Sequence, residues 1–204
     1  YWGEKFIQKI NGMFSFAIYD SIKNKYYVFR DRFGIKPLYY MEQAGIFTAA
    51  SQVKALLAGL KTQGIPRPEF DAAGHAGFFL FGNVPEPHTL YKGIKALKAG
   101  TTLWIDKNGP GQEKTFFDIS SCLASASRHF SNENLGDLLR DSVAHHFIAD
   151  VPIGLFLSSG LDSATLVGLA SELSGAGLNT LSLGFREFEG SGNDEVPLAE
   201  AVAA

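Results

Sequence analysis

The chain has 204 residues, 46% of them hydrophobic and 13% aromatic, enough apolar side chain to build one or two packed domains. Its formal net charge of -3 and pI near 6.0 argue against the basic footprint of a nucleic-acid binder. No apolar run reaches membrane-span length, no signal-peptide pattern opens the chain, and its single cysteine, Cys122, has no internal disulfide partner, which together predict a cytoplasmic protein without a membrane partner.

The first sixty residues read as antiparallel β structure. Met13 to Tyr19 predicts a strand after Asn11-Gly12, Ser21 to Lys25 a polar turn, and Tyr26 to Phe29 the return strand. Arg30, Asp31, Arg32 and Lys36 read as a solvated loop with local ion pairs, and Pro37 stands at a strand start, where its missing N–H is tolerated. Gly45 turns the chain into Ile46–Ala50, and Ser51 is the predicted cap of a helix that presents Val53, Leu56, Leu57 and Leu60 on one face.

Lys61 to Pro68 is polar and reads as a connector. Phe70 to Phe81 has the composition of a helix, although Gly74 and Gly77 weigh against one. Asn83 to Pro87 ends it, Tyr91 to Ala99 and Thr101 to Asp106 suggest a last β segment, and residues 108–111 predict a tight exposed turn. His75, His88 and His129 lack ligand spacing, and the adjacent His145 and His146 fall on different helix faces, so no metal role is read for them. With Ser131 or Asn132 as cap and Glu133 in the first turn, Leu135, Leu138, Leu139 and Val143 then recur at helical steps.

Residues 150–173 carry the strongest local signal. Val151, Ile153, Leu155, Phe156 and Leu157 form the short apolar run of a buried parallel strand. Ser158-Ser159-Gly160 stops it, Leu161-Asp162-Ser163 turns the chain, and a helix follows from Thr165, with Leu166, Leu169, Ala170 and Leu173 at helical spacing. Free backbone N–H groups at such a helix start favour an anion, and small side chains let a phosphate approach. A plain strand-to-helix turn with a Ser or Asp cap has the same local text. Neither common nucleotide fingerprint, GxxxxGK[ST] or GxGxxG, is present. Thr180 to Phe185 predicts a second strand of a βαβ unit, placing Ser158–Ser163 and Gly184 together at the carboxyl ends of the strands. Asn193-Asp194-Glu195 opens a further helix.

The words DVPIGLFLSSGLDS resemble the pyrophosphate-binding loop of the ATP-pyrophosphatase superfamily and, within it, the asparagine synthetase family. NGMFSFAIYD, RDRFGIKPLYY and TAASQVKAL resemble the later half of that family's glutaminase domain, and FFLFGNVPEPHTLYKGIKALKAGTTLWI its interdomain segment. The resemblance implies a mixed α/β and α+β chain. Residues 1–118 would be the later part of an N-terminal-nucleophile αββα sandwich with its connector, and residues 119–204 the start of a parallel-sheet ATP-pyrophosphatase domain.

By the same resemblance the family forms an amide from aspartate, glutamine and ATP. ATP activates the aspartate carboxylate as an acyl-adenylate, and ammonia released from glutamine attacks it. The match assigns ATP contacts to Leu157, Ser158, Ser159, Gly160, Asp162, Ser163, Leu183 and Gly184, with Asp162 a direct or indirect partner of Mg2+. No catalytic residue is assigned: the family's glutaminase cysteine stands at a mature N-terminus, whereas Cys122 lies late in the chain. The chain reads as a piece of a longer protein, with aspartate, glutamine and ATP as small-molecule partners and a homodimer as its assembly. Ser159 departs from the family text, which has Gly there. If that position needs positive φ, its Cβ is a strain; if not, its hydroxyl is a phosphate donor. A relative that amidates another carboxylate, as β-lactam synthetases do, or a non-catalytic nucleotide-binding module would share the loop.

Overall fold

A computed structural model describes residues 3–125, 132–174 and 177–204. His129 and Ser131, and residues 175 and 176 of the predicted break, lie outside the described residues, as do the side chains of Asn132 and Glu133. The chain divides into two compact units, Tyr1–Ala126 and Ser127–Ala204.

The first unit is built on two antiparallel sheets. Strands β1 (Ser15–Asp20) and β2 (Lys25–Arg30) form one hairpin, and β3 (Tyr39–Gln43) and β4 (Ile46–Ala50) another. Helices α1 (Val53–Thr62) and α2 (Ala72–Phe81) intervene. The chain then supplies β5 (Lys95–Ala96), β6 (Thr101–Asp106), β7 (Gly109–Pro110), β8 (Lys114–Thr115) and α3 (Ile119–Ser125). β6 pairs with β2 and carries β7 and β8, while β5 pairs with β3.

Alternation along the strands decides what each face buries. Val28, Leu103 and Ile105 turn to one side with Leu38 and Leu97, where Tyr40, Phe47 and Ala49 of the other sheet pack on them. Tyr27 and Phe29 turn to the opposite side and meet Ile7 from a short 3-10 turn at Gly3–Lys9. Met41 meets Leu56 and Leu60 of α1 on the outer face of the second sheet. The layers therefore run helical turn, sheet, sheet, helix. Each fully buried leucine among them, such as Leu97 or Leu56, contributes about 1.5–3 kcal/mol of transfer free energy.

Several sequence expectations change here. The loop at residues 30–36 is solvated only in part: Arg30 is 5% and Asp31 1% exposed, whereas Lys36 is exposed and Arg32 half-buried. Asp31 accepts the N–H groups of Phe14, Phe33, Ile35 and Lys36 at 2.9–3.2 Å. Arg30 donates to the carbonyls of Lys36, Gly34 and Leu97 and pairs with Glu86 at 2.8 Å. Gly34 closes this loop at φ +66°, and a Cβ on it would lie 3.0 Å from the Arg30 guanidinium. Buried charges persist when every donor and acceptor is matched, and these are. Ser51 is not the cap of α1: Gln52 holds that place, with no side-chain capping bond. α2 forms despite its glycines, capped by Asp71, whose carboxylate accepts from the N–H groups of Ala73 and Gly74. The tight turn predicted over residues 108–111 falls at Lys107 and Asn108, and Gly109 and Pro110 are half-buried and pair back on Asp106 and Ile105.

The second unit holds α4 (Asn132–His146), β9 (Gly154–Phe156), α5 (Leu161–Ser174), β10 (Asn179–Leu181) and α6 (Val196–Ala203). β9 and β10 are parallel, Phe156 opposite Leu181. Leu157, Val167 and Ala199 form the local core with Leu155 and Leu178. Two expectations shift. α5 begins at Leu161, not Thr165, so Leu161-Asp162-Ser163 is its first turn, and it buries Val167 and Ala170 rather than Leu166 and Leu173. The second strand stops at Leu181, well short of Phe185.

Candidate functional site

The site is built where β9 ends. Leu157 is 2% exposed; its N–H donates to Leu181 O at 2.9 Å and its carbonyl accepts from Ser182 Oγ at 2.7 Å. The strand end is thereby fixed at both polar groups before the chain leaves the sheet. Small residues then let it reverse tightly into α5.

Two hydroxyls shape that reversal. Ser163 Oγ accepts from Ser158 N–H at 3.2 Å and lies 3.0 Å from both Ser158 O and Gly160 O, to which its single proton is shared. Ser158 Oγ lies 2.9 Å from Ser163 Oγ and accepts the N–H of Gly160 at 3.2 Å. The N–H of Ala164 bonds Gly160 O at 3.1 Å, and the amides preceding it in the first turn have no intrahelical partner. Those amides, with the positive pole of α5, form a place for an anion. A Cβ on Gly160 would stand 3.2 Å from Ser158 Oγ, so the loop is closed around its own hydroxyls.

A cavity of about 410 Å³ opens beside this loop, a volume of ligand-binding size. Of the residues assigned from sequence, Leu157, Ser158, Ser163, Leu183 and Gly184 line it. Ser159, Gly160 and Asp162 do not; they lie in the loop and the first turn of α5. Ser159 is absent from the residues with positive φ, so the strain branch of its reading is removed, and its hydroxyl makes no hydrogen bond among the described residues. A Cβ on Gly184 would come within 2.7 Å of Val196 Cγ2, so only glycine leaves the wall in place.

Sequence reading missed the far wall, formed by Phe185, Phe188 and Asn193–Glu195. Asp194 is held there by the N–H groups of Gly190 and Val196, at 3.1 and 3.2 Å. The only signal for it was the helix start at residues 193–195. No cluster of three or more His, Cys, Asp or Glu residues with metal-binding arrangement occurs among the described residues. None of the described helices is long and apolar enough to cross a membrane.

The family profile for a glutamine amidotransferase domain matches residues 1–117. The chain belongs to that amidotransferase family. A second profile, for asparagine synthase, matches residues 134–204 and takes in the whole Ser158–Ser163 loop. Relatives of the amidotransferase chain carry corresponding names. A Mycobacterium tuberculosis protein provisionally named a glutamine-hydrolysing asparagine synthetase is 34% identical over 100% of this chain and 31% of its own length. Glutamine-hydrolysing asparagine synthetase 1 of Bacillus subtilis is 33% identical over 100% of the chain and 31% of its own length. Amidase chyE of Penicillium rubens is 27% identical, again over 100% of the chain and 31% of its own length. The chain thus spans about 31% of the length of these curated relatives.

Proposed function

We propose that this chain belongs to a glutamine-dependent asparagine synthetase and that its residues 158–163 bind the phosphates of ATP. The observation that carries the proposal is the hydroxyl-closed Ser158–Ser163 loop at the carboxyl end of a parallel strand, opening on the 410 Å³ cavity within the asparagine synthase match. The residues present fit a nucleotide. Leu157 and Leu183 supply an apolar wall, Gly184 has no room for a side chain, and the first amides of α5 offer donors to phosphate. Mg2+ fits as an ion held mainly by phosphate and water, with Asp162, exposed on the first turn of α5, as its protein partner.

In the reaction the resemblance implies, aspartate's carboxylate attacks the α-phosphorus of ATP, pyrophosphate leaves, and ammonia displaces AMP. This chain's contribution is to the leaving group. Fixed donors at the loop stabilise negative charge as it develops on pyrophosphate, at no cost of reorganisation during the reaction. The layering of helical turn, sheet, sheet and helix supports reading residues 1–118 as part of an N-terminal-nucleophile sandwich with its connector, and residues 119–204 as the start of the ATP-pyrophosphatase domain. The reading extends to a cytoplasmic enzyme, supported by the lone cysteine, and to a homodimer, supported by the resemblance.

The test is Asp162→Ala in the full-length protein. Aspartate-dependent exchange of labelled pyrophosphate into ATP should fall at least about a hundredfold, with glutaminase activity intact, since the loop acts in one reaction only. Parallel loss of both activities in a folded variant would refute the partition. Pyrophosphate exchange that follows a different acid and ignores aspartate would select a second reading, in which another carboxylic acid is activated.

A further inference from the structure

A groove of about 490 Å³ runs between α1 and the turn that follows it, far in sequence from the Ser158–Ser163 loop. Its floor is apolar, from Leu57, Ile65 and Pro66, and its rim is cationic, from Lys54, Lys61 and Arg67, with no acidic side chain lining it. Lys54 and Lys61 are seven residues apart on α1, hence on the same face and about 10 Å apart along the axis. Leu57 lies between them, so the apolar floor is flanked by charge at each end.

The three cations have no acid of their own. Among the described residues, none of Lys54, Lys61 and Arg67 makes an ion pair. Backbone bonds close the end of α1, whose C-terminal pole faces Lys61 in its last turn. Gln63 N–H reaches Gly59 O and Leu60 O, Gly64 N–H reaches Lys61 O, and Ile65 N–H reaches Leu60 O. Arg67 is also held in place. Its guanidinium lies 4.8 Å from the ring centroid of Tyr91 and donates to the Tyr91 hydroxyl, and Tyr91 stacks on Phe70 at 5.4 Å. An exposed arginine fixed by an aromatic ring, with Tyr91 its one hydrogen-bond partner among the described residues, is prepared for a carboxylate in a way a free lysine is not. On a chain of net charge -3 this is a local inversion of sign.

We propose that this groove docks an acidic peptide segment of extended chain, with an apolar side chain on the Leu57–Ile65 floor and carboxylates on Lys54, Lys61 and Arg67. Charge complementarity sets the partner. About three residues of polyproline-type chain span the 10 Å between the two lysines, so two acids three positions apart share one face and reach both. Ion pairs at such a rim are individually weak and act mainly on encounter and selectivity, so the contact is transient and salt-sensitive.

The probe is a fluorescein-labelled peptide with glutamate at every third position and leucine and proline between, titrated into the full-length protein and followed by anisotropy. Binding should weaken as NaCl is raised from low to several hundred millimolar, and a glutamine-substituted peptide should not bind. The double variant Lys54→Glu, Lys61→Glu should bind at least about tenfold more weakly, with melting temperature and pyrophosphate exchange unchanged. Arg67→Ala should weaken binding while retaining the fold. Equal affinity for acidic and neutral peptides would overturn the proposal, as would charge reversal without effect or a single-stranded oligonucleotide binding more tightly than the acidic peptide. Pyrophosphate exchange is read in the same samples, so failure of the groove is separate from failure of the synthetase assignment.

Discussion

The carboxylate of Asp31 is 1% exposed and accepts four backbone N–H groups, and those two facts pull its titration in opposite directions. Burial by itself raises its pKa; the N–H groups of Lys36, Ile35, Phe33 and Phe14 together outweigh it and hold the group below the usual carboxylate range. An unfolded aspartate titrates near about pH 4, so the stabilisation from Asp31 is complete above that value and is lost as pH falls toward the lower folded pKa. Asp31→Asn turns an amide donor toward N–H groups and should cost about 2–4 kcal/mol at pH 7. Urea unfolding at pH 7 and pH 3 checks this: the gap between native and variant should narrow at pH 3, and a constant gap would contradict it. At the same scale, Ser159 has no left-handed backbone for glycine to relieve, while its hydroxyl is unbonded. Ser159→Gly should therefore weaken ATP or pyrophosphate binding several-fold with little change in melting temperature, as seen by calorimetric titration. Unchanged or tighter binding with a raised melting temperature would make the serine a mere tolerance. The burial of Arg30 and Asp31 was hidden in the sequence, because charged side chains are ordinarily solvated and the partners Glu86 and Leu97 lie far along the chain.

Helices show why single-residue propensity misleads. Gly74 and Gly77 argued against α2, yet a Cβ on Gly74 would stand 2.0 Å from Thr89 O, and one on Gly77 2.3 Å from Pro85 Cδ. The glycines let α2 lie against the 85–89 segment, and that contact outweighs the roughly 1 kcal/mol each costs in propensity. Gly74→Ala should lower stability by about 1–3 kcal/mol through the forced shift. Gly59, inside α1 with nothing within 4 Å, is the control: Gly59→Ala should raise stability by about 0.5–1 kcal/mol. Opposite signs in denaturant melts are expected, and a stabilised Gly74→Ala would sink the packing account. Elements whose signal is local were legible: the β1–β2 and β3–β4 hairpins and α1 follow their turns and periodicity. The extent of β10 and the pairing of β7 were not, since both depend on which neighbouring strand is in reach.

Over the whole chain, the amidotransferase match covers the two-sheet unit and the asparagine synthase match the parallel-strand unit. The loop side of the candidate site was legible as strand, small-residue loop and helix because these are contiguous in sequence. Its far wall at Phe185–Glu195 was not, because it is assembled from a stretch without periodicity. The one cysteine of the chain, Cys122, lies exposed in α3, and an internal residue has no α-amine to act as its base. The purified 204-residue chain should therefore release no ammonia from glutamine. Reproducible ammonia release from it, followed with a coupled dehydrogenase assay, would overturn the assignment of glutaminase chemistry to other residues.

The bond from Arg30 to the carbonyl of Leu97 spans 67 positions, and the order of synthesis gives that span a meaning. A ribosome adds about 5–20 residues per second, so the arginine waits several seconds for its acceptor. Until Leu97 has left the exit tunnel, closing the two sheets would bury a guanidinium short of one of its partners and leave the seam without Leu97 and Leu103, so closure gains little. The hairpins and α1 are free to form early, whereas the seam between the sheets is a late event. A nascent chain arrested before Leu97 should be cut readily by protease within residues 30–38, and one extended through the β8 strand should resist.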